Sequence, residues 1–181
     1  MTDDPQSIEC PDASAPDVRR LELLFDDSRD ELLGTLYYVV GNLDDARDAL
    51  QETFLKCWNR RGQLREIENL RAWVFRIALN TGRDLRKTAW NRRRQTLQEE
   101  SPMASTADGP TTGLVKDEEL ERLRGAVAQL PPEQQEVFLL RQNGELSYPE
   151  IAATMSIPLG TVKTRMRSAI RVLRETVGDL S

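Results

Sequence analysis

The side chains of this sequence best placed to do chemistry are cations at helical spacing, and they gather in two stretches. From Lys163 to Arg174 five cations fall within twelve residues, with Thr164 and Ser168 set among them. Between Asn69 and Arg94, the cations Arg71, Arg76, Arg83, Arg86, Lys87, Arg92, Arg93 and Arg94 are interleaved with Phe75, Asn80 and Trp90. Cations of this kind track a phosphate backbone. Aromatic rings and an amide suit bases taken out of a duplex, where stacking is worth about 1–3 kcal/mol per base. A third group, Asp48, Gln51, Glu52 and Leu55, shares one face of the segment DARDALQETFLKCW (45–58). An apolar residue amid carboxylates suits a partner-docking surface.

Other chemistries are excluded by what the sequence lacks. It has 181 residues and no histidine, so there is no imidazole base, Ser-His-Asp triad or histidine-bearing metal site. Cys10 and Cys57 are too few for a thiolate cage and too far apart for a CxxC pair. Neither a GxxxxGK[ST] loop nor a GxGxxG turn occurs. The carboxylate pair Asp44-Asp45 lies in a helix-like stretch with no pocket signature. The reading is therefore not an enzyme, with no catalytic residue, metal or cofactor. No apolar run approaches the roughly 18 residues that cross a bilayer, and the N-terminus MTDDPQSIEC is acidic where a secretory signal is basic. The chain is expected in the cytoplasm, without insertion into a membrane.

Net charge, −5, would argue against nucleic acid if it were evenly spread. It is not. Residues 1–63 carry −7, 64–95 carry +6, 96–159 carry −7 and 160–181 carry +3. A local basic face, not total charge, is the footprint of a DNA reader. A single such block would be read as a solvated helix face. Two of them, each in a helical segment, point to DNA.

These groups need elements to hold them, and the apolar periodicity predicts helices throughout, an all-α fold. Residues 1–17, rich in Pro, Asp and Ser, read as a disordered acidic tail. A first unit, 18–95, comprises a helix from Val18 to Asn42, a second from Leu43 to Arg61 and a third from Asn69, as N-cap, to about Arg94. The second helix has an expected inward stripe of Leu43, Ala46, Leu50, Phe54 and Cys57. That of the third is Leu70, Trp73, Val74, Ile77, Ala78, Thr81 and Leu85. Phe75, with Leu79, is either a base-facing ring or part of a second core face. Residues 96–115 lose periodicity and concentrate Ser, Thr, Pro, Gly and Asp, the composition of a flexible linker. A second helical unit, 116–181, starts with Leu120, Leu123, Val127 and Leu130. It continues from Pro131-Pro132 through Val137, Phe138 and Leu140 to a turn at Asn143-Gly144.

The most specific pattern is SYPEIAATMSIPLGTVKTRMRSAIRVLR (147–174). Ser147 with Glu150 fits a capping box, and Pro149 is tolerated in a first turn. Ile151, Ala152 and Met155 give a short helix one inward face, and Ser156 to Gly160 make a turn. Thr161 opens a second helix with Val162, Met166, Ala169, Ile170 and Leu173 inward. Lys163, Thr164, Arg165, Arg167, Ser168 and Arg171 are left outside. This is a helix-turn-helix, whose second helix can enter the DNA major groove.

Three runs taken together, DARDALQETFLKCW, NLRAWVFRIALNTGRDLRK and LPPEQQEVFLLRQNGELSYPEIAATMSIPLGTVKTRMR, resemble the extracytoplasmic-function (group IV) bacterial sigma factors over about residues 20–177. The resemblance implies a sigma region 2 helical bundle at 18–95 and a region 4 helix-turn-helix at 116–181. It implies promoter recognition, DNA melting and transcription initiation, with RNA polymerase core (β′ clamp helices and β flap) and promoter DNA as partners, and an anti-sigma factor as a further one. Asp48, Gln51, Glu52, Phe54 and Leu55 match the segment that docks on the β′ clamp helices, Phe54 by packing from behind. Trp73, Arg76, Asn80 and Arg83, continued by Arg86 and Lys87, match the segment that opens and reads the −10 element, Asn80 near a flipped base. Thr161, Lys163, Thr164, Arg165, Arg167 and Arg171 fall on the recognition helix for the −35 element. Ser168 stands where many members carry arginine, a departure that bears on base preference and leaves the docking mode. Two alternatives are a conventional helix-turn-helix regulator with an unrelated sensor domain and a sigma-like decoy for an anti-sigma factor. The basic helix at 69–94 argues against the first, and the retained cations argue against the second.

Overall fold

The structure, a computed structural model, describes residues 15–96 and 117–178. These residues form helices joined by turns, with no strand among them. The expected tail at 1–17 lies outside the described residues up to residue 14, and the expected linker at 96–115 lies outside them from residue 97 on. Helix α1 (Ala15–Asp27) begins three residues before Val18, and α2 (Arg29–Val40) follows it. The single helix expected over 18–42 is therefore two. Ser28, fully buried, breaks the run, although its N–H still reaches Leu24 O and its carbonyl still accepts from Leu32 N–H, both at 2.9 Å. Gly41, at φ 93°, closes α2 in the left-handed conformation that glycine adopts without steric cost.

Asn42 caps α3 (Leu43–Asn59) by accepting from Asp45 N–H at 2.8 Å. A 3-10 turn (Arg61–Glu66) leads into α4 (Leu70–Thr96), whose N-terminus is capped by Asn69 Oδ1 on Ala72 N–H at 2.9 Å. The buried face of α3 consists of Ala46, Ala49, Thr53 and Cys57. It is rotated from the expected stripe: Leu43, Leu50 and Phe54 are half-buried at its border. Small side chains on the packed face let α2 and α4 approach closely, which larger ones would prevent. Gly82 serves the same end, since a Cβ there would lie 2.8 Å from Val39 Cγ1.

Helix α5 (Asp117–Gln129) is followed by α6 (Pro132–Gln142), opened by proline in its first turn where no N–H is needed. Then come α7 (Tyr148–Met155) and α8 (Leu159–Gly178). Ala126, Val127, Leu130, Leu139, Ala169 and Leu173 form one core here, with Leu123 exposed. The rest of this unit's core is shared. Val137, Leu140, Leu146, Ile151, Val162 and Met166 are continuous with Leu32, Leu36, Phe75 and Leu79 of the first unit. Phe75 and Leu79 are thus fully buried core, which settles the alternative left open for Phe75.

Arg71 departs from the sequence expectation, which set it among outward cations. Its Nε donates to Gly144 O at 2.8 Å, Nη2 to Asn143 O at 2.8 Å and Nη1 to Ser28 Oγ at 2.7 Å, with the guanidinium 5.4 Å from the Phe75 ring centre. The cause is the end of α6. Carbonyls there have no partner within the helix and carry partial negative charge, so a planar cation satisfies two of them at once.

Candidate nucleic-acid and polymerase interfaces

The outward face of α3 assembles as expected. Asp48, Gln51 and Leu55 are exposed, Leu55 at 54%, and Glu52 is half-buried in an ion pair with Lys56 at 2.8 Å. Phe54 sits behind them, edge-on to Phe25 at 5.1 Å and stacked on Trp58 at 5.8 Å. Asp48, Gln51 and Phe54 also border a groove of about 750 Å³ between α1 and α3, floored by Phe25, Leu33 and Leu50. Sequence periodicity had no means of finding it, because its walls come from three separate helices.

On α4 five of the six expected DNA-reading residues divide between two clefts. Trp73, half-buried, and Arg76, exposed, lie in a cleft of about 170 Å³ whose other wall is Ala153 and Thr154 of α7. Asn80, Arg83 and Lys87 line a polar cleft of about 390 Å³, completed by Lys56 of α3 and by Arg60 just past its end. Lys56 also donates to Thr81 Oγ1 at 3.1 Å. Arg86 is exposed and borders neither. Trp90, farther along, is 64% exposed.

Arg83 requires a correction. The sequence treats it as an open cation, yet its Nε donates to Glu136 Oε1 at 2.7 Å and its Nη2 pairs with Glu136 Oε2. Nη1 donates to Asn80 Oδ1 at 3.1 Å. Glu136 is only 6% exposed, and an acid so deeply placed needs a cation. The hydrogen bond to Glu136 raises the Arg83 pKa above its ordinary value against the opposing effect of burial, so the guanidinium is held charged. A further polar link joins the units, Asn69 Nδ2 to Glu150 Oε1 at 2.6 Å. The sequence held a signal for these contacts that was not used: Glu136, Leu140 and Asn143 share one helical stripe, so a buried leucine has polar neighbours on its own face.

The helix-turn-helix is built as its sequence indicates. Ser147 Oγ accepts from Glu150 N–H, and Glu150 Oε2 accepts from Ser147 N–H at 2.7 Å and from Ser147 Oγ at 2.6 Å. These bonds, with the one from Asn69, hold the Glu150 carboxyl below its ordinary pKa. The intervening turn places Ser156 at φ 55°, and Ile157 N–H reaches back to Ala152 O at 3.0 Å. Helix α8 starts at Leu159, two residues before Thr161. It buries Val162, Met166, Ala169 and Leu173 and exposes Lys163, Thr164, Arg167 and Arg171, with Thr161, Ser168 and Ile170 half-buried. Arg165 is drawn to α6 by an ion pair with Glu133, and Thr164 Oγ1 donates to Gly160 O at 3.0 Å. Lys163, Arg167 and Arg171 thus form the exposed cationic row.

Comparison with known proteins agrees with this architecture. Residues 24–92 match the family Sigma-70 region 2, and residues 120–173 match Sigma-70, region 4. The ECF RNA polymerase sigma factor SigL of Mycobacterium tuberculosis is 31% identical over 173 residues, 93% of this chain and 94% of that protein. The ECF RNA polymerase sigma factor EcfG of Rhodopseudomonas palustris is 32% identical, covering 81% of this chain and 82% of that one. In fold, the chain is similar to the sigma factor RpoE from Bartonella quintana, solved with the anti-sigma factor NepR. The TM-score is 0.66 at 24% identity, over 91% of this chain and 98% of the other. CnrH, solved with the cytosolic domain of CnrY, gives a TM-score of 0.62 at 24% identity, over 91% of each chain. Two Sigma-70 regions in order, and a relative of this identity matched along nearly its whole length, show that the chain belongs to the ECF RNA polymerase sigma factors, initiation factors that direct the polymerase to promoters and are not themselves enzymes.

Proposed function

We propose that the three helix faces divide the work of initiation. Asp48, Gln51, Glu52 and Leu55 of α3, backed by Phe54, dock on the β′ clamp helices of core polymerase. Trp73, Arg76, Asn80, Arg83, Arg86 and Lys87 of α4 open and read the −10 element. Thr161, Lys163, Thr164, Arg165, Arg167 and Arg171 of α8 read the −35 element from the major groove, with the second unit resting on the β flap. On this reading residues 18–95 and 116–181 are separate functional units linked through 96–115, and the chain works in the cytoplasm beside the chromosome. The observation that carries the reading is α8 itself, whose buried apolar side fixes the helix so that Lys163, Arg167 and Arg171 stand together in solvent.

A subunit role follows from energetics. Opening about ten base pairs, at about 1.4 kcal/mol per stacked step, costs about 14 kcal/mol. Two or three captured bases, at about 1–3 kcal/mol each, fall short of that. The polymerase must supply most of the opening, and this chain traps the result. A fold neighbour solved with an anti-sigma factor supports such a factor as the protein that withholds the chain from polymerase. Reconstitution with core polymerase and run-off transcription on genomic fragments tests the assignment. Promoter-dependent transcripts lost on Asp48→Arg (docking) and on Asn80→Ala (−10 reading) are expected. Failure of the chain to associate with core would overturn it, and association without initiation would favour the decoy.

A further inference from the structure

Leu123 and Leu159 are the exposed large apolar side chains among the described residues of the second unit, and Leu159, 38% exposed, heads α8. Positions 159, 163, 167 and 171 recur every four residues, so Leu159 leads the row of Lys163, Arg167 and Arg171. From end to end the row is about 18 Å long. The first turn of the helix holds Leu159 in place. Pro158 O accepts from Thr161 N–H at 2.9 Å and from Val162 N–H at 3.2 Å, and Val162 is fully buried. Around Leu159 the surface offers little polar reach. A Cβ at Gly160 would meet nothing within 4 Å, and Thr164 turns its hydroxyl proton back to Gly160 O at 3.0 Å. A helix that enters the major groove meets base edges with its N-terminal residues. Here those residues put an apolar end ahead of the first cation.

We propose that Leu159 is a specificity residue of the −35 contact and reads the C5-methyl group of a thymine. The proposal rests on the reading of α8 as the −35 helix. The leucine side chain neither donates nor accepts a hydrogen bond, so the polar pattern of the groove is closed to it. The thymine methyl is the apolar group on the major-groove edge, and cytosine carries only hydrogen at that ring position. Bringing leucine and methyl together removes both from water, and one buried methyl group corresponds to about fourfold in affinity. An arginine or an amide at position 159 would favour guanine or adenine instead, so the leucine sets which base pair is preferred there.

The test uses holoenzyme reconstituted with the full-length chain, and duplex promoter DNA taken from the run-off experiment. Each thymine of the −35 element, on either strand, is replaced in turn by deoxyuridine, which removes the methyl group and leaves the pairing intact. With the parent, one such replacement should weaken binding about fourfold. Leu159→Ala should lose about as much on the unmodified promoter and nothing further on the deoxyuridine one. Because no charge is removed, the slope of log K against log salt should be unchanged. Thermal melting establishes that the variant is folded. Leu159→Gln, which keeps the length of the side chain, serves if it is not, and should lose the deoxyuridine response as well. The proposal is overturned if no thymine responds to loss of its methyl group, or if Leu159→Ala still loses about fourfold on the same replacement. Equal weakening of Leu159→Ala on every sequence overturns it too, in favour of a contact with polymerase. Lys163→Ala separates this idea from the one beneath it. If that variant narrows −35 preference while no thymine responds, Leu159 is not a reader and the −35 assignment stands. If no base change in the −35 element alters binding of the parent, the −35 assignment fails and this proposal falls with it.

Discussion

Cys57 shows how far one side chain's surroundings set its chemistry. It is fully buried on the packed face of α3, and burial pushes its thiol up to about 12, against a lowering influence from Arg60. A thiol neutral at physiological pH is a poor nucleophile. In a Cys10→Ser chain Cys57 should resist maleimide at pH 8 and react fully once guanidinium unfolds the protein, as mass spectrometry would show. Labelling of the native chain at the rate of a free thiol would contradict this. Glu150 makes the opposite case, its carboxyl held below the ordinary value chiefly by the Ser147 hydroxyl and then by the Ser147 N–H. A lowered folded pKa means that the charged form is preferred in the folded state. Its contribution is complete above the ordinary glutamate value of about 4.3 and is lost as pH falls through the lower folded one. Ser147→Ala should cost about 1 kcal/mol at pH 7, by loss of the cap. The gap between variant and parent in denaturant titrations should narrow as the pH falls below the ordinary glutamate value. A gap that stayed constant with pH would show that the cap does not act through the Glu150 charge. Ser147, Glu150 and the core role of Cys57 were legible in the sequence because each depends on neighbours within one or two helical turns.

At the level of elements, the helices were legible and their faces only partly so. A 3.6-residue period tells which residues are apolar, not which way a helix is turned against neighbours that come from elsewhere in the chain. That is why α3 buries Ala49 and Thr53 where larger Leu50 and Phe54 were expected. It is also why α4, apolar on two sides, left Phe75 open to a base-reading role. The break at Ser28 escaped because its cause is tertiary: the buried hydroxyl is taken by Arg71, 43 positions away. Gly82 tests the close packing of α4 on α2. Alanine has the better helix propensity by about 1 kcal/mol. Its Cβ, however, would meet Val39 Cγ1 at 2.8 Å and Leu36 Cδ2 at 3.3 Å. Overpacking of this kind costs about 1–3 kcal/mol, so Gly82→Ala should lower stability by about 1 kcal/mol net. A variant as stable as the parent in urea would mean that α2 and α4 are free to move apart.

For the whole molecule, charge must be read by place. A chain of net charge −5 is repelled by DNA at long range, so binding depends on the two basic faces, and one of these is engaged by the second unit. The sequence locates the cations of both stretches but not the engagement of the first, because Arg83 and Glu136 are 53 positions apart and no local pattern links them. On α8 the cationic row should split by position. Lys163, near the helix N-terminus, is set to meet base edges, while Arg171, two turns on, is set to meet phosphate. Arg171 is held only by an exposed contact with Glu175 at 3.8 Å, which such pairs yield at a cost of well under about 1 kcal/mol. Arg171→Ala should therefore weaken holoenzyme binding alike on all promoters and reduce the slope of log K against log salt by about 0.9, the share of one released phosphate counterion. Lys163→Ala should instead cost about 1–3 kcal/mol on cognate −35 sequence and much less on altered sequence, narrowing the preference between them. Binding measured across a salt series on both sequences separates the two. If Arg171→Ala changed sequence preference and left the salt slope intact, the assignment of the distal row to the phosphate backbone would be wrong.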